Sequence, residues 1–288
     1  MTIIIGFGYI GRLLGARLAT AGATVTGVVR SAESAAKLPA LGVRALRLDL
    51  LEDPFEALET ARADVYHLAP PPGEGRDDPL TARLIEAFAA RGQPRRLVYI
   101  GTTGVYGDCG GDWVDETRTP RPTVDRSLRR WDAEERLRAW SRETGGELVI
   151  LRVAGIYACD RLPLARIRSG QPVVSAAEAP WSNRIHAEDL VTVCIAAMDK
   201  APAGSLYNVC DGHPSTMTDY FLSIASAAGL APPPEIPLAE APGKVSAGML
   251  SYLQESRRLS NRKLLDELGV RLRYPTLAEG LAGCFPAA

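Results

Sequence analysis

Apolar and polar positions follow two different rhythms through the first half of the chain. Short runs at 2–5, 24–29 (Thr-Val-Thr-Gly-Val-Val), 43–48, 64–68, 96–100 and 147–151 are rich in β-branched and aromatic residues, and they read as strands. Most are apolar at nearly every position rather than at every second one, as strands covered on both faces should be. Between them, stretches near 10–20, 32–38, 54–61, 79–91 and 123–144 read as helices, several closed by Gly22, Gly42, Gly92 or Gly145 where a left-handed cap is wanted. Strand and helix in alternation require crossover connections, which places parallel strands in one sheet with helices on both faces. The pattern predicts an α/β protein with a doubly wound parallel sheet.

After residue 152 proline-rich loops (Pro163, Pro172, Pro180, Pro202, Pro232-Pro233-Pro234) separate shorter elements, with a strand predicted at 205–209 and helices near 187–199, 215–228 and 261–268. This divides the 288 residues into a doubly wound domain over 1–152 and a smaller C-terminal lobe over 153–288, some of whose elements return to the sheet. The composition, 46% hydrophobic and 23% charged with 33 basic against 34 acidic side chains, excludes a disordered or disulfide-stapled chain. Near-neutral charge also argues against nucleic acid and membrane surfaces as partners, which leaves a small-molecule substrate. No apolar run reaches the roughly 18 residues of a membrane span, and Met1 leads into Ile3-Ile4-Ile5 without the basic stretch of a signal peptide. The five scattered cysteines form no metal-ligand spacing and read as reduced thiols in a cytoplasmic protein.

Candidate chemistry begins at Ile5-Gly6-Phe7-Gly8-Tyr9-Ile10-Gly11, a GxGxxG loop between the first strand and first helix. Gly6 permits the tight turn, Gly8 lets a pyrophosphate approach the backbone, and Gly11 lets helix and strand pack closely. The helix start at Tyr9 and Ile10 offers amides to the phosphates. In this strand–loop–helix context the motif indicates dinucleotide binding by a Rossmann-like domain. The second strand ends in Val28-Val29-Arg30-Ser31. A carboxylate there would take the ribose hydroxyls of NAD, whereas a guanidinium and a hydroxyl suit the 2′-phosphate of NADP. NADP is the expected cofactor, with NAD the second candidate.

These residues, joined to His67-Leu68-Ala69-Pro70, Gly101-Thr102-Thr103-Gly104-Val105-Tyr106-Gly107, Gly155-Ile156-Tyr157, Asn183 to Leu190, Tyr207-Asn208-Val209 and Leu259-Ser260-Asn261, resemble the extended and atypical short-chain dehydrogenase/reductases. That group includes nucleotide-sugar epimerases and dehydratases, and the resemblance covers essentially the whole chain. It implies that Asp49 and Leu50 lie against the adenine, that Leu68, Ala69 and Pro70 line the cofactor cleft, and that Thr102 is the catalytic hydroxyl. It implies a homodimer paired through the helix that carries Trp131 and Trp140. Tyr157, Arg161 and His186 fall in segments that contact substrate in the family, although His186 reads first as a histidine that positions the loop after its strand.

The family's acid–base pair is a Tyr and a Lys four residues later, with the ammonium lowering the phenol's pKa. No Tyr of this chain has Lys four residues on; the register of Arg130-Trp131-Asp132-Ala133-Glu134 puts Arg126 in the Tyr position and Arg130 in the Lys position. A guanidinium stays protonated at any working pH and cannot act as a base. Three readings follow: Tyr106, Asp125 or His186 moves the proton; the arginines bind an anionic substrate; or catalysis has been lost. The resemblance therefore implies an NAD(P)-dependent oxidoreductase or epimerase/dehydratase-like enzyme. The alternative is a non-catalytic NADP-binding redox sensor or scaffold.

Overall fold

The computed structural model describes residues 1–285. The chain runs β1 (Thr2–Ile5), α1 (Tyr9–Thr20), β2 (Val25–Val29), α2 (Ala32–Lys37), β3 (Arg44–Arg47), β4 (Asp64–His67), α3 (Pro79–Arg91), β5 (Arg96–Thr102), β6 (Trp113–Val114), α4 (Asp125–Thr144) and β7 (Glu147–Val153). It continues through β8 (Gly155–Tyr157), α5 (Leu164–Arg168), β9 (Val173–Val174), β10 (Trp181–Ser182), β11 (Arg184–His186), α6 (Ala187–Lys200), β12 (Leu206–Val209), β13 (Ser215–Thr216) and α7 (Met217–Ala227). β14 (Glu235–Ile236), α8 (Ala247–Leu253), β15 (Arg258–Leu259), α9 (Arg262–Leu268) and α10 (Leu277–Cys284) complete it. Among the described residues no helix is long and apolar enough to cross a membrane.

Two compact units are formed: Met1–Val105 with Pro122–Arg152 and Leu190–Tyr207, and Tyr106–Arg121 with Val153–Asp189 and the chain from Asn208 onward. The first carries a seven-stranded sheet in the order β12-β7-β5-β4-β1-β2-β3. β1 pairs in parallel with both β2 and β4, Ile5 lying opposite Val28 on one side and His67 on the other. The chain reverses its direction of travel across the sheet between these pairs, and in open α/β sheets ligands bind outside the carboxyl ends of the strands at that point. Every residue of β1 and β2 is buried, Thr2 and Thr26 included, as suits strands covered on both faces. Leu84 and Phe88 of α3 and Ala133, Leu137 and Trp140 of α4 cover Val65, Leu97, Tyr99 and Ile150 of the sheet.

The interaction that fixes α4 is an ion pair without access to water. Arg152 on β7 donates from Nη2 and Nε to the Glu134 carboxylate of α4 at 2.7 and 3.1 Å, and the two side chains are 2% and 0% exposed. Gly101 of β5 makes room for it, since a Cβ there would lie 3.1 Å from Glu134 Oε1. At the end of β4, His67 is likewise enclosed: its Nε2 lies 2.9 Å from Thr81 Oγ1, which donates to Asp78 at the N-cap of α3. Burial, and secondarily the charge of Arg130, push the His67 imidazole down to about 3, so it is neutral near pH 7.

The stretch 54–61 is not a helix; β3 and β4 are joined by turns. Only Phe55 and Leu58 supply an apolar face there, and Thr60 turns inward to donate to the Gly92 carbonyl at 2.6 Å, which draws the segment onto the end of α3. The second unit is built from two-stranded pairings, β8 with β11, β9 with β14, β10 with β13 and β6 with β15. Its cores gather Ile167, Val173, Phe221, Ile224 and Leu281 in one place and Tyr106, Val114, Cys210 and Leu259 in another. Cys159 and Cys284 are joined in a disulfide, their Cα atoms 4.9 Å apart. This corrects the expectation that all five cysteines are reduced thiols: 125 residues separate the two, so no local spacing signals the bond.

Removing one partner of the buried pair, Glu134→Ala or Arg152→Ala, should cost about 3–5 kcal/mol by urea unfolding, and replacing both by apolar residues should cost less than either. Thiol titration of the unfolded, unreduced protein should find the three free cysteines Cys109, Cys194 and Cys210, rising to five after reduction. His67 takes up a proton in the unfolded chain at its ordinary pKa but in the folded chain only near pH 3. Stability should therefore fall as pH drops from about 6.5, by up to about 1.4 kcal/mol per pH unit from this group, and His67→Gln should flatten that slope.

Candidate functional site

The glycine loop follows β1 at the sheet's reversal point. Gly6 has φ +85°, and a Cβ on it would lie 2.4 Å from the Ala69 backbone at the end of β4. Gly11 approaches the Gly6 carbonyl so closely that its Cβ would come within 2.9 Å. Gly8, the N-cap of α1, is different: a Cβ there would meet nothing within 4 Å. No contact within the described residues requires a glycine at Gly8, and its bare backbone leaves room for a ligand to approach. Ahead of it lie the first-turn amides of α1, at Tyr9, Ile10 and Gly11, which have no intrahelical acceptor.

Between Gly6 and Gly8 the Phe7 ring turns inward. It is 6% exposed and packs where a Cβ on Gly15 or Gly27 would stand, 2.4 Å and 2.5 Å from ring atoms. Gly15 on α1 and Gly27 on β2 thus belong to the loop's architecture, although neither lies in the motif. The sequence signal was a glycine within a helix and another within a strand, each of which needs a packing reason.

Arg30 follows β2 directly, exposed to solvent, and makes no hydrogen bond or ion pair with the described residues. Ser31 is occupied as the N-cap of α2, its hydroxyl accepting from Ser34 N at 3.1 Å and donating to Ser34 Oγ. Asp49 directs Oδ1 to the Leu51 amide, and buried Leu50 accepts through its carbonyl from Arg83. Leu68 bonds to the Ile5 carbonyl, Ala69 backs Gly6, and Pro70 is exposed beyond them. Open Gly8 and the amides after it fit the pyrophosphate of a dinucleotide, and Arg30 stands uncommitted among the described residues at the end of β2.

Thr102 ends β5, half-buried, its hydroxyl oxygen accepting from Gly104 N at 3.1 Å and its hydrogen left to donate. Ser127, which sequence reasoning missed, lies against the same glycine: a Cβ on Gly104 would lie 3.4 Å from Thr102 Oγ1 and 2.7 Å from Ser127 Oγ, and that buried serine hydroxyl has no partner among the described residues. Arg130, one turn further along α4, reaches across the ends of β4 and β5. Its Nη1 donates to the carbonyl of Ile100 at 3.2 Å, the hydroxyl of Tyr99 at 3.4 Å and the carbonyl of Ala69 at 3.5 Å. Arg126 is half-buried in the first turn of the same helix. Asp125 is exposed and paired with Arg76 at 3.0 Å.

Four candidates belong to the second unit. Tyr106 is 1% exposed and donates to Asn208 Oδ1 at 2.7 Å within a hydrophobic cluster. Tyr157 is equally enclosed, its ring against Gly280 and its phenol pushed well up by burial. His186 lies 4.0 Å from the Tyr274 ring and 5.2 Å from that of Tyr157; its Nδ1 accepts from Glu188 N, and burial pushes its pKa down. Arg161 is exposed on the short 3-10 turn beside Cys159.

The arrangement of sheet and loop has clear relatives. The NAD dependent epimerase/dehydratase family pattern matches residues 2–210. A 3-diazoavenalumate denitrifying reductase from a Streptomyces species is 30% identical over 280 residues, 92% of this chain and 86% of the relative. The solved structure of a conserved protein from Silicibacter pomeroyi DSS superposes with a TM-score of 0.85 at 32% identity, covering 98% of this chain and 97% of the other. A UDP-glucuronic acid 4-epimerase from Bacillus cereus in complex with NAD shares the fold, with a TM-score of 0.78 at 18% identity over 99% of this chain and 96% of its own. By pattern, sequence and fold together, the chain belongs to the NAD dependent epimerase/dehydratase family.

Proposed function

We propose that this protein is an NADP-preferring oxidoreductase that reduces a small anionic substrate without a tyrosine acid–base group. One observation carries the reading: Gly8 is open to a pyrophosphate while the cation at the end of β2, Arg30, has no partner among the described residues. Gly6, Gly8, Gly11 and the first-turn amides at Tyr9 and Ile10 would hold the pyrophosphate, Arg30 the 2′-phosphate, and the segments at Asp49-Leu50 and Leu68 to Pro70 the adenine and ribose sides. When bound, the nicotinamide supplies hydride chemistry.

The chain's own residues then determine what kind of reduction is feasible. Thr102 offers a hydroxyl hydrogen to a substrate heteroatom, and Ser127 adds a second, enclosed hydroxyl beside it. Among the described residues only Nη1 of Arg130 is engaged in hydrogen bonds, and its remaining N–H groups suit a carboxylate or a ribose hydroxyl. Neither Arg126 nor Arg130 can shuttle a proton, so the reaction draws its proton from solvent or moves none. The similarity to a denitrifying reductase supports the second course. Replacement of a diazonium nitrogen by hydride, Ar–N2+ plus H− giving Ar–H plus N2, transfers no proton and asks for no phenolate.

Titration of the full-length protein with NADPH and NADH, followed by quenching of tryptophan fluorescence, should show tighter binding of NADPH. Arg30→Asp should lower NADPH affinity about 10- to 100-fold, as expected for loss of a charge-assisted bond worth about 1.5–3 kcal/mol, and reverse the preference. Equal affinities in the parent and no change in the variant would remove the basis for NADP.

A further inference from the structure

Trp113 and Trp181 are two of the few large apolar side chains left in water, 55% and 38% exposed, and both lie in the second unit. They are brought together around one arginine. β6 pairs with β15 so that Trp113 stands opposite Arg258, whose guanidinium carbon is 5.5 Å from the Trp113 ring centre and 5.3 Å from that of Trp181. Arg258 Nε donates to the Gly111 carbonyl at 2.7 Å, and Trp181 lies against the same residue, its Cδ1 3.2 Å from where a Cβ on Gly111 would be.

The platform beneath is laced together before any ligand arrives. Ser256 O accepts from Cys109 N and Gly111 N, Ser256 Oγ accepts from Trp181 N, and Ser256 N donates to Asp108. Asn183 bridges the Arg257 carbonyl and the Leu259 amide. Rings held this way lose little freedom on binding a partner.

Charge defines the partner. Arg257 is paired with Glu255 at 3.0 Å and Arg118 faces Asp112 at 3.6 Å, but Arg258 has no carboxylate partner among the described residues, and both its Nη groups are uncommitted. With Nε engaged by Gly111, the Nη1/Nη2 edge stays free to take a carboxylate in bidentate fashion, and indole faces beside it favour a flat π-system. With one uncommitted cation and the carboxylates of Asp108 and Asp112 in the same loop, the site suits a monoanion better than a diphosphate.

We propose that Trp113, Arg258 and Trp181 form a binding site for a planar aromatic carboxylate. The site stands on the second unit alone and does not depend on the nucleotide reading, so the two succeed or fail separately. Calorimetric titration of the full-length protein with 2-naphthoate tests it, with 2-naphthol lacking the anion, cyclohexanecarboxylate lacking the π-system, and UDP as a diphosphate. 2-Naphthoate should bind at least about tenfold more tightly than either simplified analogue, the scale of a single cation–π or ion-pair contact. Trp113→Ala and Trp181→Ala should each weaken it about tenfold, and Arg258→Met should remove its advantage over 2-naphthol, with NADPH affinity and thermal midpoint unchanged. Trp113 projects mostly into water, so its replacement carries the test by itself if Arg258→Met lowers the midpoint. Naphthoate binding that survives these substitutions, UDP binding more tightly than naphthoate, or a dimer that dissociates when the tryptophans are removed would each overturn the proposal.

Discussion

The position of α4 depends on a charge pair that water does not reach. An ion pair this enclosed contributes little net stability, because desolvation offsets most of the attraction, yet it tolerates one geometry only. Glu134 can meet Arg152 when α4 lies at a single height over β5 and β7, with Gly101 beneath it. One turn toward the N-terminus on the same helix is Arg130, and one turn before that Arg126. The register of the candidate chemistry on α4 is therefore set by a contact that takes no part in it. The same contact makes the sequence register Arg130-Trp131-Asp132-Ala133-Glu134 meaningful, since the glutamate that marks it is the one held in place.

Much of this was legible in the sequence, for identifiable reasons. Strands covered on both faces are apolar at most positions, and α3 announced its close with Gly92. The glycine loop was legible because its three glycines answer three different steric demands. The segment 54–61 misled because its composition suits a helix while Thr60 gains more from the Gly92 carbonyl than from a helical turn. The Cys159–Cys284 bond and the pairing of β6 with β15 join positions more than a hundred residues apart, which no local pattern encodes. Ser127 and the glycines around Phe7 were hidden differently: each is unremarkable until its neighbour in space is known.

On the register read from the sequence, arginines stand where the family carries its tyrosine and lysine, and under the proposed function that makes a different type of site rather than an empty one. A phenol beside an ammonium can pass a proton, whereas a guanidinium serves as a hydrogen-bond donor only. The titratable groups that could replace them are committed elsewhere, Asp125 to Arg76 at the surface, Tyr106 and His186 to contacts inside the second unit. A site built of fixed cations and neutral hydroxyls is suited to holding an anion still while bonds change on it, and ill suited to passing protons.

The disulfide gives the chain a covalent ring that closes from Cys159 to Cys284. Tension applied through the two ends of the polypeptide would run from the N-terminus to Cys159, cross the sulfur bridge and leave at Cys284. The residues between carry none of that load while the bond is intact. Under mechanical pulling, as in threading through an unfoldase, six strands of the sheet, β1 to β5 and β7, would lie on the loaded path, whereas its seventh strand, β12, and the helices α7, α8 and α9 would lie inside the loop until a reductant opened it.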